Sequence, residues 1–249
     1  MRSLGMGGIL GMLAIGRLLA SGMTEDPVEV LTKTWHLAEL QSLEVRGQVQ
    51  FALVPGTPGQ GTTVTVGTTR ALFDQLTVSE WFGSGTIAIE AGLRGPREQG
   101  PVKVTVSVPS LKSLSVLGRS SGKVTWPSDK GKVFVGEESA LDLVIEATDL
   151  EVETSWLTNL VFLGHVGSLK ATLRHQARID ARSLSVGAAT VNLDEASTYL
   201  AGPTGRGVGS TRHGSRISLP DGWDSLSGAK TSGLIRSSTW MVQVELLPP

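Results

Sequence analysis

The chain of 249 residues contains no cysteine. That absence excludes disulfide staples, thiolate nucleophiles, thiolate metal sites and a lipid-modified N-terminal cysteine. Aromatic side chains are scarce, with six Trp, five Phe and one Tyr. Net charge is almost absent too. Twenty-two basic residues against 23 acidic ones leave −1, too little to draw the whole molecule onto nucleic acid or anionic lipid. Helical stretches rich in Ala, Glu and Lys are rare. In their place stand 31 Gly, 26 Ser and 23 Thr, about a third of the chain, together with many Val. This balance favours short strands joined by tight turns. The length suffices for one well-buried domain, or two small ones, without a disulfide or metal staple.

The longest apolar segment, Ile9 to Ala20, is interrupted by Arg17 and falls short of the roughly 20 apolar residues of a membrane span. With Arg2 before it and the small residues Ala20, Ser21 and Gly22 after it, residues 1–22 read as a secretion signal. A leader without structure, or a start at Met6, Met12 or Met23, would also fit. The remainder divides into a β domain at 23–219 and an extension at 220–249. In that extension Trp240 to Leu246 reads as a capping strand.

From Trp35 onward apolar residues alternate in short bursts: Leu43 and Val45, then Val49, Phe51 and Leu53, then Val64 and Val66, Ile87 and Ile89, Val102, Val104 and Val106. Each burst is a strand signal of period two. In the second half the bursts recur at a fixed spacing. Leu114, Val133, Val152, Ala171 and Thr190 share a column, and Val116, Val135, Thr154, Leu173 and Asn192 stand two places on. Gly122, Leu141, Leu160, Ile179 and Thr198 form another, with Val124, Leu143, Phe162, Ala181 and Leu200 two places beyond. Two i, i+2 pairs per row are what a β-solenoid coil of about 19 residues requires. Between Ser168 and Ser185 the basic residues Lys170, Arg174, Arg178 and Arg182 also fit the wet face of a helix. The strand reading is preferred, because Leu169, Ala171, Leu173, Ile179 and Ala181 keep the columns.

The segment Val108-Pro109-Ser110-Leu111-Lys112-Ser113-Leu114-Ser115-Val116, with Gly118 after it, resembles a strand of the bacterial putative auto-transporter adhesin, head GIN domain family. Leu160 to Val166, Ser168 to Ala171, Ile179 to Leu184 and Ala189 to Leu193 are similar to its later steps. The likeness runs from about Trp35 to Leu219. The turns Gly118 to Gly122 and Gly164 to Gly167 depart from the Ser-Gly-Ser-Gly usual there. The resemblance implies a right-handed β-helix-like single domain in a secreted or envelope-exposed protein, and it brings no catalytic residues.

Several motifs carry potential chemistry. Gly118-x-Ser120-x-Gly122 matches a nucleophile elbow, but a strand rather than a helix is expected after it. Gly205-x-Gly207-x-Gly209-Ser210 resembles a phosphate loop without its Lys, so a flexible loop is expected. His36, His165, His175 and His213 lack ligand spacing, and no metal or other cofactor is expected. Glu137, Glu138, Asp142, Glu146, Asp149, Glu151 and Glu153 form an acidic stretch before a basic one. This opposition suggests a charge gradient that aids self-association. Trp126, before Pro127, and Trp156, at a turn, are candidates for partial exposure and stacking on sugar rings. Arg206, Arg212, His213 and Arg216 are candidates for an anionic ligand. The resulting expectation is an exported, non-enzymatic, adhesin-like binder of a cell-surface glycan or protein, located in the periplasm, on the outer surface or outside the cell. No nucleic acid partner and no stable transmembrane span are expected. A self-assembling envelope protein and a polysaccharide-active β-helix enzyme are the alternatives.

Overall fold

The computed structural model describes residues 12–16, 30–37, 39–74, 76–81, 85–91, 102–220, 233–237 and 239–245. The protein is all-β, apart from one helical turn. In chain order the first strands are β1 (Met12–Gly16), β2 (Val30–Leu37), β3 (Ser42–Arg46), β4 (Val49–Pro55) and β5 (Thr62–Thr69). The turn α1 (Arg70–Phe73) precedes β6 (Leu76–Trp81), β7 (Thr86–Ala91) and β8 (Val102–Val108). Next come β9 (Ser113–Leu117), β10 (Ser121–Thr125) and β11 (Lys130–Val135), then the long strands β12 (Ala140–Thr154), β13 (Asn159–Leu173) and β14 (Arg178–Leu193). The last are β15 (Thr198–Leu200), β16 (Thr204–Thr211), β17 (Arg216–Ser218), β18 (Gly233–Arg236) and β19 (Trp240–Val244).

All these strands belong to one curled sheet. Antiparallel pairs lie at the two ends of the chain: β1–β2, β2–β5, β5–β8 and β6–β7 early, and β18–β19 late. The ladders between are parallel. Val133 lies beside Leu114 and Val152, and Leu143 beside Val124 and Phe162, so these neighbours keep the spacing of the sequence columns. An irregularity between Val161 and Leu163 lengthens that offset by one position from β13 to β14. From β14 to β16 and from β15 to β17 the offset is one position shorter than the columns. The inward residues there are consequently Val191, Leu193, Tyr199 and Ala201, all buried, rather than Thr190, Asn192, Thr198 and Leu200. A single inserted residue reverses the facing of everything after it, because side chains alternate with period two.

Both strand columns feed one hydrophobic cluster. Val116, Val133, Leu143, Phe162, Leu173 and Val191 are fully buried in it. Each such side chain contributes about 1.5–3 kcal/mol relative to exposure. Parallel strands are usually covered on both faces; here the outward positions are polar and wet, as at Asp142, Lys170 and Thr190.

The segment from Ser168 to Ser185 lies in β13 and β14. Leu169, Ala171, Leu173, Ile179 and Ala181 point inward, and Lys170, Arg174, Arg178 and Arg182 are exposed. Gly164 to Gly167, read from sequence as a turn, instead continues β13. Gly205 to Ser210, expected as a flexible loop, instead lies in β16, where a Cβ on Gly207 would stand 2.2 Å from the Trp240 ring. Gly207 is therefore what admits Trp240, which is buried on β19 beside β16. Residues 1–22 lie outside the described residues except for Met12–Gly16, which pairs with β2.

Candidate functional site

The chain must turn sharply between the two strand columns, and it does so with pairs of left-handed residues. Gly118–Arg119, Glu137–Glu138, Trp156–Leu157, His175–Gln176, Glu195–Ala196 and His213–Gly214 all have φ between 49° and 76°. Ten of these twelve residues are not glycine, although the left-handed region costs an L-residue about 1–2 kcal/mol. The turns are held to one another by backbone bonds. The N–H groups of Arg119, Glu138, Leu157, Gln176 and Ala196 donate to the carbonyls of Glu137, Trp156, His175, Glu195 and His213. Immediately after each turn a small residue is buried: Ser120, Ser139, Thr158, Ala177, Ser197 and Ser215. The turns thus form a ridge whose backbone is bonded on the inside and whose side chains are pushed outward.

Trp156 stands on this ridge with 58% of its surface exposed, next to Leu157 at 55%. Its indole lies flat on the imidazole of His175, with ring centroids 4.5 Å apart and planes within 6°. The Nε2 of His175 is 2.7 Å from a carboxylate oxygen of Glu195 on the next turn. On the other flank Arg119 pairs with Glu138 at 2.8 Å. A hollow of about 420 Å³ opens there between Arg119, Glu137, Glu138 and the Trp156–Leu157 pair. A second, of about 340 Å³, lies on the far side of the indole beside Glu153, Lys170 and Arg174. The arrangement offers a fixed aromatic face with hydrogen-bonding charged groups on both sides.

The other residues singled out from sequence do not gather around Trp156. Trp126, expected to be partly exposed, is a correction: it is 4% exposed and belongs to the core. Its ring occupies the space beside Gly131, where a Cβ would stand only 1.9 Å away. Arg206 is exposed on β16 beside Ala188, and Arg216 is exposed on β17 beside Thr198. Arg212 pairs with Glu245 at 2.8 Å, and His213 pairs with Asp194. His175, the platform beneath Trp156, was missed as a site residue. It stands one column spacing after Trp156, and that periodicity was the available signal.

The acidic stretch is interleaved with cations from neighbouring strands, which reduces the expected opposition of an acidic and a basic band. Lys130 pairs with Asp149 at 2.6 Å, Lys132 with Glu153 at 2.7 Å, and Lys170 with Glu151 at 2.6 Å. The hydrogen bond from Lys170 holds the Glu151 carboxyl below its ordinary value, more than offsetting its burial. Burial pushes Asp194 up, but hydrogen bonds from His213 and from the Glu195 N–H leave it lowered overall.

Ser120 is no accessible nucleophile. It is buried, and its Oγ lies 2.8 Å from the carbonyl oxygens of both Gly47 and Leu117. Among the described residues no group of three or more His, Asp or Glu is placed to hold a metal ion. No helix among them is long and apolar enough to cross a membrane.

The fold thus defines an all-β protein whose outward strand faces and turns are its accessible surface. The chain belongs to the putative auto-transporter adhesin, head GIN domain family, whose model matches residues 39–219. The solved structures it resembles include a putative adhesin from Bacteroides fragilis NCTC 9343, with a TM-score of 0.68 at 11% identity, covering 88% of this chain and 94% of that one. Another is a putative adhesin from Parabacteroides merdae ATCC 43184, with a TM-score of 0.57 at 12% identity, covering 88% and 92%. At such identities the likeness shows a shared fold. The family and these two neighbours are named as putative adhesins. No curated protein matches the sequence.

Proposed function

We propose that this chain is an exported, non-catalytic adhesin-like protein that recognises a cell-surface glycan on the ridge of left-handed turns. The observation that carries the reading is the exposed indole of Trp156, held flat by His175 and flanked by Arg119, Glu137 and Glu138. An indole face accepts the apolar C–H face of a sugar ring, while carboxylates and a guanidinium beside it bond the hydroxyls. The family's name supports a role in adhesion. Residues 1–22 serve as the export signal in this reading, and the nearly constant offset along the parallel ladders supports a β-solenoid, whose right-handed sense rests on the family resemblance.

A glycan array on the protein from Met23 onward tests the proposal, with Trp156→Ala alongside and a reducing-sugar assay on every hit. Retention of glycans without product, and a loss of about tenfold or more in Trp156→Ala, is the expected result. Equal binding by the variant removes the ridge from the account, and release of reducing ends overturns the non-catalytic reading.

A further inference from the structure

Strands β8, β4, β10 and β12 lie side by side in parallel. Their outward face holds a hollow of about 460 Å³. Its floor is made of short side chains, Ala52, Ser121 and Ala140, which leave room above the sheet. Two lysines border it: Lys103 on β8 and Lys123 on β10.

These two lysines differ from the others described. Lys33 lies over the Trp35 ring, Lys112 donates to Gln41, and Lys130, Lys132 and Lys170 each pair with a carboxylate. The side chains of Lys103 and Lys123 have no ion pair, hydrogen bond or ring contact among the described residues, and both line the same hollow. Two exposed lysines on one concavity, neither held in an ion pair, outnumber its single carboxylate, Asp142, and form an anion-binding arrangement.

The class of anion follows from the spacing and the neighbours. β4 lies between β8 and β10, so the two lysines are two strand steps apart, about 10 Å across the sheet. Asp142, in register with Lys123, adds a negative charge at the rim. A duplex nucleic acid, with a charge about every 1.7 Å of its axis, would set phosphates against that carboxylate. A polymer of acidic sugars carries sparser charge and many hydroxyls. Gln50, Thr105 and Ser121 offer amide and hydroxyl groups to bond those hydroxyls, and Asp142 can accept from them. We propose that this hollow binds an acidic polysaccharide, with Lys103 and Lys123 holding its uronate carboxylates. The hollow shares no lining residue with the one beside Trp156 and goes beyond the function proposed there.

Affinity electrophoresis through polygalacturonate, at about 0.15 M salt to suppress long-range attraction, tests the assignment. The expected result is that the wild-type chain is retarded and that K103A/K123A loses about tenfold or more in affinity. K103R/K123R should remain bound, since it keeps both charges, and an unchanged melting temperature of K103A/K123A shows that the alanine substitutions do not unfold the chain. K130A, which removes a lysine elsewhere, and W156A should bind polygalacturonate as the wild type does. Neutral amylose should not distinguish K103A/K123A from the wild type. The proposal is overturned if the wild type passes polygalacturonate freely, if K103A/K123A is retarded as strongly as the wild type, or if K130A loses as much. Because W156A abolishes only the ridge, the two sites can fail independently.

Discussion

The indole of Trp156 rests flat on the imidazole of His175, which belongs to the next turn of the ridge. His175 is a positioning residue in the proposed glycan site, because it fixes the plane of the ring that a sugar would cover. His175→Ala should weaken glycan retention several-fold while leaving the fold intact, since His175 lies on the outer side of the ridge. His175→Phe, which keeps an aromatic face but loses the contact with Glu195, should restore most of the affinity. Glycan-array titrations of the two variants provide the check; equal losses would mean that the contact with Glu195, not the stacking, orients Trp156.

Ala196 is exposed and holds φ at 59°. Glycine reaches this region without steric cost but loses more chain entropy on folding. The left-handed penalty is the larger of the two, so Ala196→Gly should stabilise the protein by about 0.5–1 kcal/mol. Ala196→Val should destabilise it by about 1 kcal/mol or more. Denaturant midpoints compared at equal m-value report both, and the same sign for the two variants would contradict the argument.

Tyr199 is fully buried, tilted against Trp240 at 6.2 Å, and its hydroxyl has no hydrogen-bond partner among the described residues. Burial alone pushes its ionisation upward. An unsatisfied buried polar group costs about 1–3 kcal/mol, and replacing it by an apolar group of the same shape is neutral or favourable. Tyr199→Phe should therefore melt at the wild-type temperature or above it. A clear fall in melting temperature would show that the hydroxyl is in fact bonded.

Stability should decline in acid. Glu151 is lowered by Lys170, Asp180 by Arg182, and Asp194 by His213 and a backbone N–H against its burial. A carboxyl whose folded pKa lies below its unfolded value contributes stability that is present above the unfolded value, about 4. That contribution is lost as pH falls through the folded one. Melting temperature should stay level from about pH 7 to pH 5 and drop below about pH 4. E151Q/D194N should start lower at neutral pH and lose less on acidification. An unchanged acid slope would place the loss in other groups.

Much of the strand architecture was legible because alternation is a local property. Leu43, Val45, Val104, Val152 and Leu173 each sit among polar neighbours of opposite parity, so their inward facing needs no knowledge of the rest of the chain. The columns from Leu114 to Ala171 were readable for the same reason. What no local pattern carries is which outward residue lies beside which. The irregularity at Val161/Leu163 shifts Thr190 out and Val191 in, and only strand pairing reveals it. Trp126 looks exposed beside Pro127, yet it is buried, because Gly131 leaves a space that its ring fills. The acidic stretch looks unbroken from Glu137 to Glu153, yet Lys130, Lys132 and Lys170 reach it from adjacent strands. Lys103 and Lys123 are well separated in the sequence and share no motif; β4, from much earlier in the chain, lies between their strands and makes them two rims of one hollow. Inward facing was set by sequence parity. The surface was decided by register, because a binding face is assembled from residues that meet only when separate strands pair.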